Sequence, residues 1–233
     1  GVLTQAAAVE ADAEPLPGRT PFPALAWNVA GQLARAAPAA QASVISTLDA
    51  DLQARLEPMA AAIAASQGGE ATAAILVVEI KGRAVRAAVG SAGHDRAGGW
   101  VDMTRALRSP GSSLKPFIYA MAMDDGLVAA DTQLTDSATR FADYQPENFD
   151  RVFHDKVTVR EALTHSLNVP AVATLERLGP EVFAGRIEAT GAHLARPKAQ
   201  LRAAGLALAL GGEGITLRDL VMLYAALGDG GLA

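Results

Sequence analysis

The chain of 233 residues contains no cysteine. This excludes cysteine nucleophiles, disulfides and thiolate metal sites, and leaves the redox compartment open. It also lacks a basic run, and its formal net charge is −5. Both argue against nucleic acid as a partner. No apolar run reaches the roughly 18 residues that a membrane span needs. The opening residues, GVLTQAAAVEADAEPLPGR, have neither a basic start nor a sharp apolar segment and do not read as a signal peptide. A membrane anchor upstream, in a longer parent, stays compatible with that. There is no His-Glu-x-x-His or comparable metal spacing, and His94 and His193 stand alone. Gly211-Gly212-x-Gly214 is glycine-rich, but no lysine of the phosphate-binding kind follows it. That stretch reads as a tight turn. No internal repeat is present.

What is there is apolar. Half of the residues are hydrophobic, enough for a sizeable core in one large domain or a domain with a small neighbour. Residues 1–40 are rich in alanine and broken by Pro15, Pro17, Pro21, Pro23 and Pro38. They read as a linker or pedestal holding one short helix over 24–36. Residues 41–233 then form the main domain. Asp49 is placed to cap a helix in which Leu52, Leu56, Met59 and Ile63 recur at helical spacing, and Gly68-Gly69 ends it. The run TAAILVVEI, residues 72–80, reads as a buried strand and forms a hairpin with AVRAAVG across Lys81-Gly82-Arg83. Helices are expected over 112–125, 159–178, 180–190 and 217–228, the last with an apolar face for core packing. Residues 126–157 read as a long irregular excursion of a length that is often functional. No further strand is evident, although a two-stranded hairpin is not stable alone.

The chemistry concentrates in RSPGSSLKPFIY, residues 108–119. A helix starting after Pro110-Gly111 puts Ser112 in its first turn and Lys115 on the same face at i+3. A serine hydroxyl needs a base to attack near neutral pH, and a lysine serves if burial or a nearby cation keeps its amine neutral. The helix N-terminus adds free N–H groups suited to an oxyanion. Ser-x-x-Lys alone reads more readily as a capping serine and a solvated lysine. A second motif, THSLNVP at residues 164–170, contains Ser166 and Asn168. A hydroxyl beside the Ser-Lys pair can relay a proton to a leaving amine. The amide can donate to a substrate carbonyl and accept from the lysine.

Together, in this order and spacing, the two motifs resemble the transpeptidase domain of class A penicillin-binding proteins. The stretches GGWVDMTRALRSPGSSLKPFIYAMAMDDGL, YQPENFDRVFHDKVTVREALTHSLNVPAV and LALALGGEGITLRDLVMLYAALGDGG carry the likeness over nearly the whole chain. The resemblance implies that Ser112 is the acylated nucleophile, Lys115 its base, Ser166 a proton relay and Asn168 a substrate-positioning amide. It implies cross-linking of peptidoglycan stem peptides, acylation by β-lactams, and no metal or organic cofactor. By the same resemblance the parent is anchored upstream and works on the periplasmic face of a bacterial inner membrane. The implied fold is α/β: an antiparallel sheet flanked by helices, with a helical subdomain around 117–200. The family's later Lys-Thr-Gly or Lys-Ser-Gly strand, its preceding glycosyltransferase domain and its closing sheet strands have no counterpart in this sequence. The expectation is a fragment with an incomplete sheet and weak activity, whose exposed sheet edge invites pairing with a second copy.

In the long loop, Tyr144, Asn148, Asp150, Arg151 and His154 match the family stretch, and either line the approach to the site or brace the loop. Tyr144, Asn148, His154 and Gly211 are the substrate-binding candidates. His165 reads as packed or exposed, and Trp27 and Trp100 as packing or surface residues. Two other functions compete: a β-lactamase-like hydrolase, for which no deacylating carboxylate is evident, and a non-catalytic penicillin-binding sensor or scaffold module.

Overall fold

The computed structural model describes residues 4, 24–38, 43–68, 70–96, 98–142, 144–196 and 205–232. Most of the proline-rich 1–40 stretch and the end of the expected 117–200 subdomain therefore lie outside the described residues.

Helix α1 (Trp27–Ala36) occupies the place expected for it. It is tied to the main domain, because Gln32 Nε2 donates to Asp102 Oδ2 at 2.6 Å and Ala26 N donates to Glu57 Oε1 at 2.6 Å. Helix α2 (Ala50–Gln67) is capped as anticipated, with the Asp49 side chain accepting from Leu52 N. Its bulky stripe is not its buried face, however. Gln53, Ala60 and Ala64 are buried, whereas Met59 and Ile63 are half exposed. The reason is the close approach of α2 to strand β2: small residues admit the strand, and Gln53 bonds its backbone through Nε2 to Ala88 O and Oε1 from Ala88 N.

Strands β1 (Ile75–Val78) and β2 (Val85–Val89) form the anticipated antiparallel hairpin, with a register shift at Val77/Val78. Strand β1 is half-buried throughout rather than fully buried. Helix α7 (Leu217–Gly228) packs on it, and among the described residues β2 is its only strand partner.

A 3-10 turn, Gly111–Leu114, leads directly into α3 (Lys115–Asp124). Helix α3 is apolar around most of its circumference, which places it inside the molecule. Leu114, Phe117 and Ile118 enter one core cluster with Val172, Leu175, Phe183 and Leu208. Tyr119 and Ala122 enter a second with Val157, Ala162 and Ala171. Lys115 is carried into this buried position by its neighbours.

The long excursion is not wholly irregular, which corrects the reading that no further strand exists. Strands β3 (Gln133–Asp136) and β4 (Asp155–Thr158) pair antiparallel as a second two-stranded sheet. Their sequences, QLTD and DKVT, are polar and short, and an 18-residue connection separates them. Such strands have neither alternation nor a turn signal to betray them. The single helix expected over 159–178 is also two: α4 (Val159–Thr164) and α5 (Asn168–Leu178). Helix α4 begins with a capping box between Thr158 and Glu161. The break falls on Ser166, whose φ of 52° no helix accommodates. Helix α6 (Pro180–Ala189) follows, and a 3-10 turn, Leu206–Leu210, packs against α5 and the Ser112 turn. The fold class is thus the expected one: helices around small antiparallel sheets.

Candidate active site

The helix break at 165–167 and the start of α3 meet across one cleft of about 510 Å³. Ser112, Asn148, Phe149, Asp150, His154, His165, Ser166, Leu167 and Asn168 line it. Ser112 is exposed on its wall, whereas Lys115, three residues on, is only 1% exposed. Ser112 lies in the 3-10 turn, and Lys115 is the first residue of α3, whose neighbours in the core bury it.

Lys115 Nζ donates to Ser166 O at 2.5 Å, to Asn168 Oδ1 at 2.7 Å and to Ser166 Oγ at 3.2 Å. Burial lowers the pKa of its amine from the ordinary 10.5 to about 8. Of the three partners only the Ser166 hydroxyl carries a proton of its own. When the amine is neutral, that hydroxyl can turn and donate to the nitrogen lone pair. Hydrogen bonds thus join Lys115, Ser166 and Asn168, and Ser112 lines the same cleft as Ser166 and Asn168.

Two N–H groups of the Ser112 turn are already bonded, Gly111 N to Ser109 Oγ at 3.2 Å and Ser113 N to Pro110 O at 3.0 Å. The N–H of Ser112 lies between them and is the one suited to a developing oxyanion.

The other candidates separate. His154 lines the cleft, and its backbone N–H is bonded to Asp136 Oδ2 at 3.0 Å. His165 lines the cleft and is exposed. Asn148 also borders it, yet its carboxamide is spent on protein partners: Asp136, Val152 O and the N–H of Asn168. Asn148 thus braces the loop. Tyr144 does not line the cleft. It pairs with Phe141 through the backbone and packs on the core, and burial raises the pKa of its phenol. Gly211 is likewise outside the cleft lining. It sits against the Ser112 turn, where its carbonyl accepts from Ser109 Oγ at 2.8 Å. A Cβ there would meet Ser109 Oγ at 2.3 Å and Gly111 N at 2.5 Å, so the absence of a side chain is what admits the contact. Trp27 and Trp100 meet edge to face at 5.8 Å, and neither lines the cleft.

Sequence reasoning passed over Phe149, fully exposed at the cleft, and Asp136, fully buried beneath it. The aromatic inside PENFD was a visible signal for the first. Nothing local marks Asp136.

A family model described as the penicillin-binding protein transpeptidase domain matches residues 73–231. The chain belongs to that family. Among its curated relatives, penicillin-binding protein 1C of Escherichia coli K12 is 41% identical over 192 residues, covering 82% of this chain and 25% of that protein. Penicillin-binding protein 1F of Bacillus subtilis is 36% identical over 129 residues, covering 55% of this chain and 17% of the relative. The chain thus spans about a quarter or less of the length of these penicillin-binding proteins. The penicillin-binding protein PonA1 of Mycobacterium tuberculosis, solved also in complex with penicillin V, superposes with a TM-score of 0.63 at 21% identity over 79% of this chain and about half of its own. That likeness shows the β-lactamase/transpeptidase fold. Penicillin-binding protein 1A of Haemophilus influenzae superposes with a TM-score of 0.57 at 25% identity, over 66% of this chain and 23% of its own.

Proposed function

We propose that this transpeptidase domain forms an acyl-enzyme on Ser112, taking its acyl group from a D-Ala-D-Ala peptidoglycan stem peptide or, as a mimic, from a β-lactam. The observation that carries the proposal is the buried Lys115 amine, with its pKa near 8, held by Ser166 and Asn168 behind an exposed Ser112. The neutral amine takes the proton of Ser112 as Oγ attacks the carbonyl carbon. The oxyanion forms against the Ser112 N–H. On collapse, the proton passes from Lys115 through the Ser166 hydroxyl to the departing nitrogen, and D-Ala leaves. An amine on a neighbouring strand then attacks the ester, returns its proton by the same route, and frees Ser112.

In the same reading, residues 41–233 belong to the transpeptidase domain, and 1–40 form a pedestal toward an upstream domain and anchor. The longer protein works at the periplasmic face of the bacterial inner membrane. Among the described residues no helix is long and apolar enough to cross a membrane.

Intact mass after incubation with a penicillin tests the proposal, on this chain and on the longer protein, each beside its Ser112→Ala variant. An adduct on wild type that is absent from Ser112→Ala is expected. An adduct that survives the substitution, or none on either length, overturns it.

A further inference from the structure

Asp136 ends strand β3, is completely buried, and forms no ion pair with a described residue. A buried carboxylate is costly unless its oxygens are bonded. Here they accept from Asn148 Nδ2 at 3.0 and 2.9 Å and from His154 N at 3.0 Å. Asn148 Nδ2 donates also to Val152 O at 2.8 Å.

A carboxamide has nearly the same shape either way round, so its partners decide which end points where. Asp136 and Val152 O only accept, and they compel the Asn148 amino end toward themselves. The carbonyl end is left facing outward, and it accepts from the backbone N–H of Asn168 at 2.7 Å.

That N–H is the first of α5, and the residue before it, Leu167, has no side chain able to cap it. Asn148 supplies the cap from twenty residues away. Glu147, next to it, accepts from Asn168 Nδ2 through its carbonyl at 2.6 Å. Backbone and amino end of Asn168 are thus both gripped by residues 147–148, which leaves Oδ1 for Lys115.

We infer that Asp136 and Asn148 are positioning residues: the buried carboxylate orients the Asn148 carboxamide, which caps α5 and holds Ser166 and Asn168 onto Lys115. The inference rests on the proposed acyl transfer only for its kinetic readout.

The test compares wild type with Asn148→Asp, Asp136→Asn and the exchange of the two, D136N/N148D. Asn148→Asp sets two carboxylates face to face and removes the donor. Its acylation by a fluorescent penicillin should fall about 100-fold, and that of Asp136→Asn about 10-fold. In the exchange, the carboxamide moved to β3 donates to the carboxylate moved to the loop, whose other oxygen accepts the Asn168 N–H, while Val152 O loses its donor, so the recovery is partial. Acylation should recover at least about 10-fold over Asn148→Asp, the non-additivity expected of coupled neighbours.

Melting temperatures separate positioning from folding. An exchange that regains stability but not rate, or a folded Asn148→Asp that acylates like wild type, overturns the inference. A readout independent of acylation is pH-dependent labelling of Lys115 by an amine reagent, read by peptide mass. Its midpoint, near 8 in wild type, should move up toward the ordinary lysine value in folded Asn148→Asp as the loop releases the amine. An unmoved midpoint also overturns the inference. Wild type that labels with this midpoint but takes no penicillin would overturn the proposed function while leaving the positioning pair standing or falling on the labelling.

Discussion

Lys115 and Ser166 lie 51 residues apart in the chain, yet Lys115 Nζ is 2.5 Å from the carbonyl oxygen of Ser166 and 3.2 Å from its hydroxyl. The carbonyl can only accept. The hydroxyl can accept or donate, so the same residue anchors the amine and offers it a proton path. The left-handed backbone at Ser166, φ 52°, aims both oxygens at one nitrogen.

The first consequence is a pH dependence of acylation. With the Lys115 pKa near 8, about a tenth of the amine is neutral at pH 7, far more than for an ordinary lysine. The rate of penicillin acylation should rise about tenfold per pH unit below 8 and level off above it. A flat profile between pH 6 and 8 would remove Lys115 as the base.

The same shift has a stability counterpart with a definite sign. Burial depresses the folded-state value to about 8, while the unfolded chain keeps about 10.5. Between those values the unfolded state binds more protons, so this group makes stability rise with pH across the window and contributes no slope below about pH 8. Urea midpoints of wild type and Lys115→Met from pH 7 to 10 check it. The wild-type curve should carry an upward slope that the variant lacks.

Ser112→Ala should abolish the covalent adduct with little effect on folding, because the side chain is exposed on the cleft wall. A surface change of this kind usually stays within about 0.5 kcal/mol. Thermal unfolding alongside intact mass makes both comparisons.

Gly211→Ala should do the reverse, damaging the site from outside it. The glycine has φ 87°, and an added Cβ would press on Ser109 Oγ and Gly111 N, the groups that shape the Ser112 turn. A loss of roughly 1–3 kcal/mol is expected, with slowed acylation at Ser112. Wild-type kinetics in this variant would show that the turn does not depend on the contact.

Tyr119→Phe should be neutral or stabilising. Among the described residues the buried Tyr119 hydroxyl has no hydrogen-bond partner, and both burial and nearby Asp136 push its pKa up, so it stays a neutral phenol. Removing an unsatisfied buried hydroxyl relieves a cost of about 1–3 kcal/mol. A clear fall in melting temperature would reveal a partner for that hydroxyl.

Much of this molecule was legible before its fold was known. Asp49 caps its helix, Lys81-Gly82-Arg83 turns the hairpin, and a helix follows Pro110-Gly111, although it opens as a 3-10 turn that holds Ser112 and becomes an α-helix only at Lys115. These features are local: a cap, a turn and a helix start are set by residues within a few positions of one another. Strands β3 and β4 escaped because polar QLTD and DKVT become strands only by pairing across the excursion between them. Side-chain size does not mark the buried face of α2, because a nearby strand selects that face.

The sequence by itself thus determined the Ser112–Lys115 spacing and the family to which the chain belongs, since both are written in short stretches of chain. The tertiary structure alone decided that Lys115 is dry, that Ser166 and Asn168 close on it, and that Asp136 and Asn148 stand behind them. Those are matters of desolvation and of hydrogen bonds between residues far apart in the chain, and such contacts exist only once the core around α3 and α5 has packed.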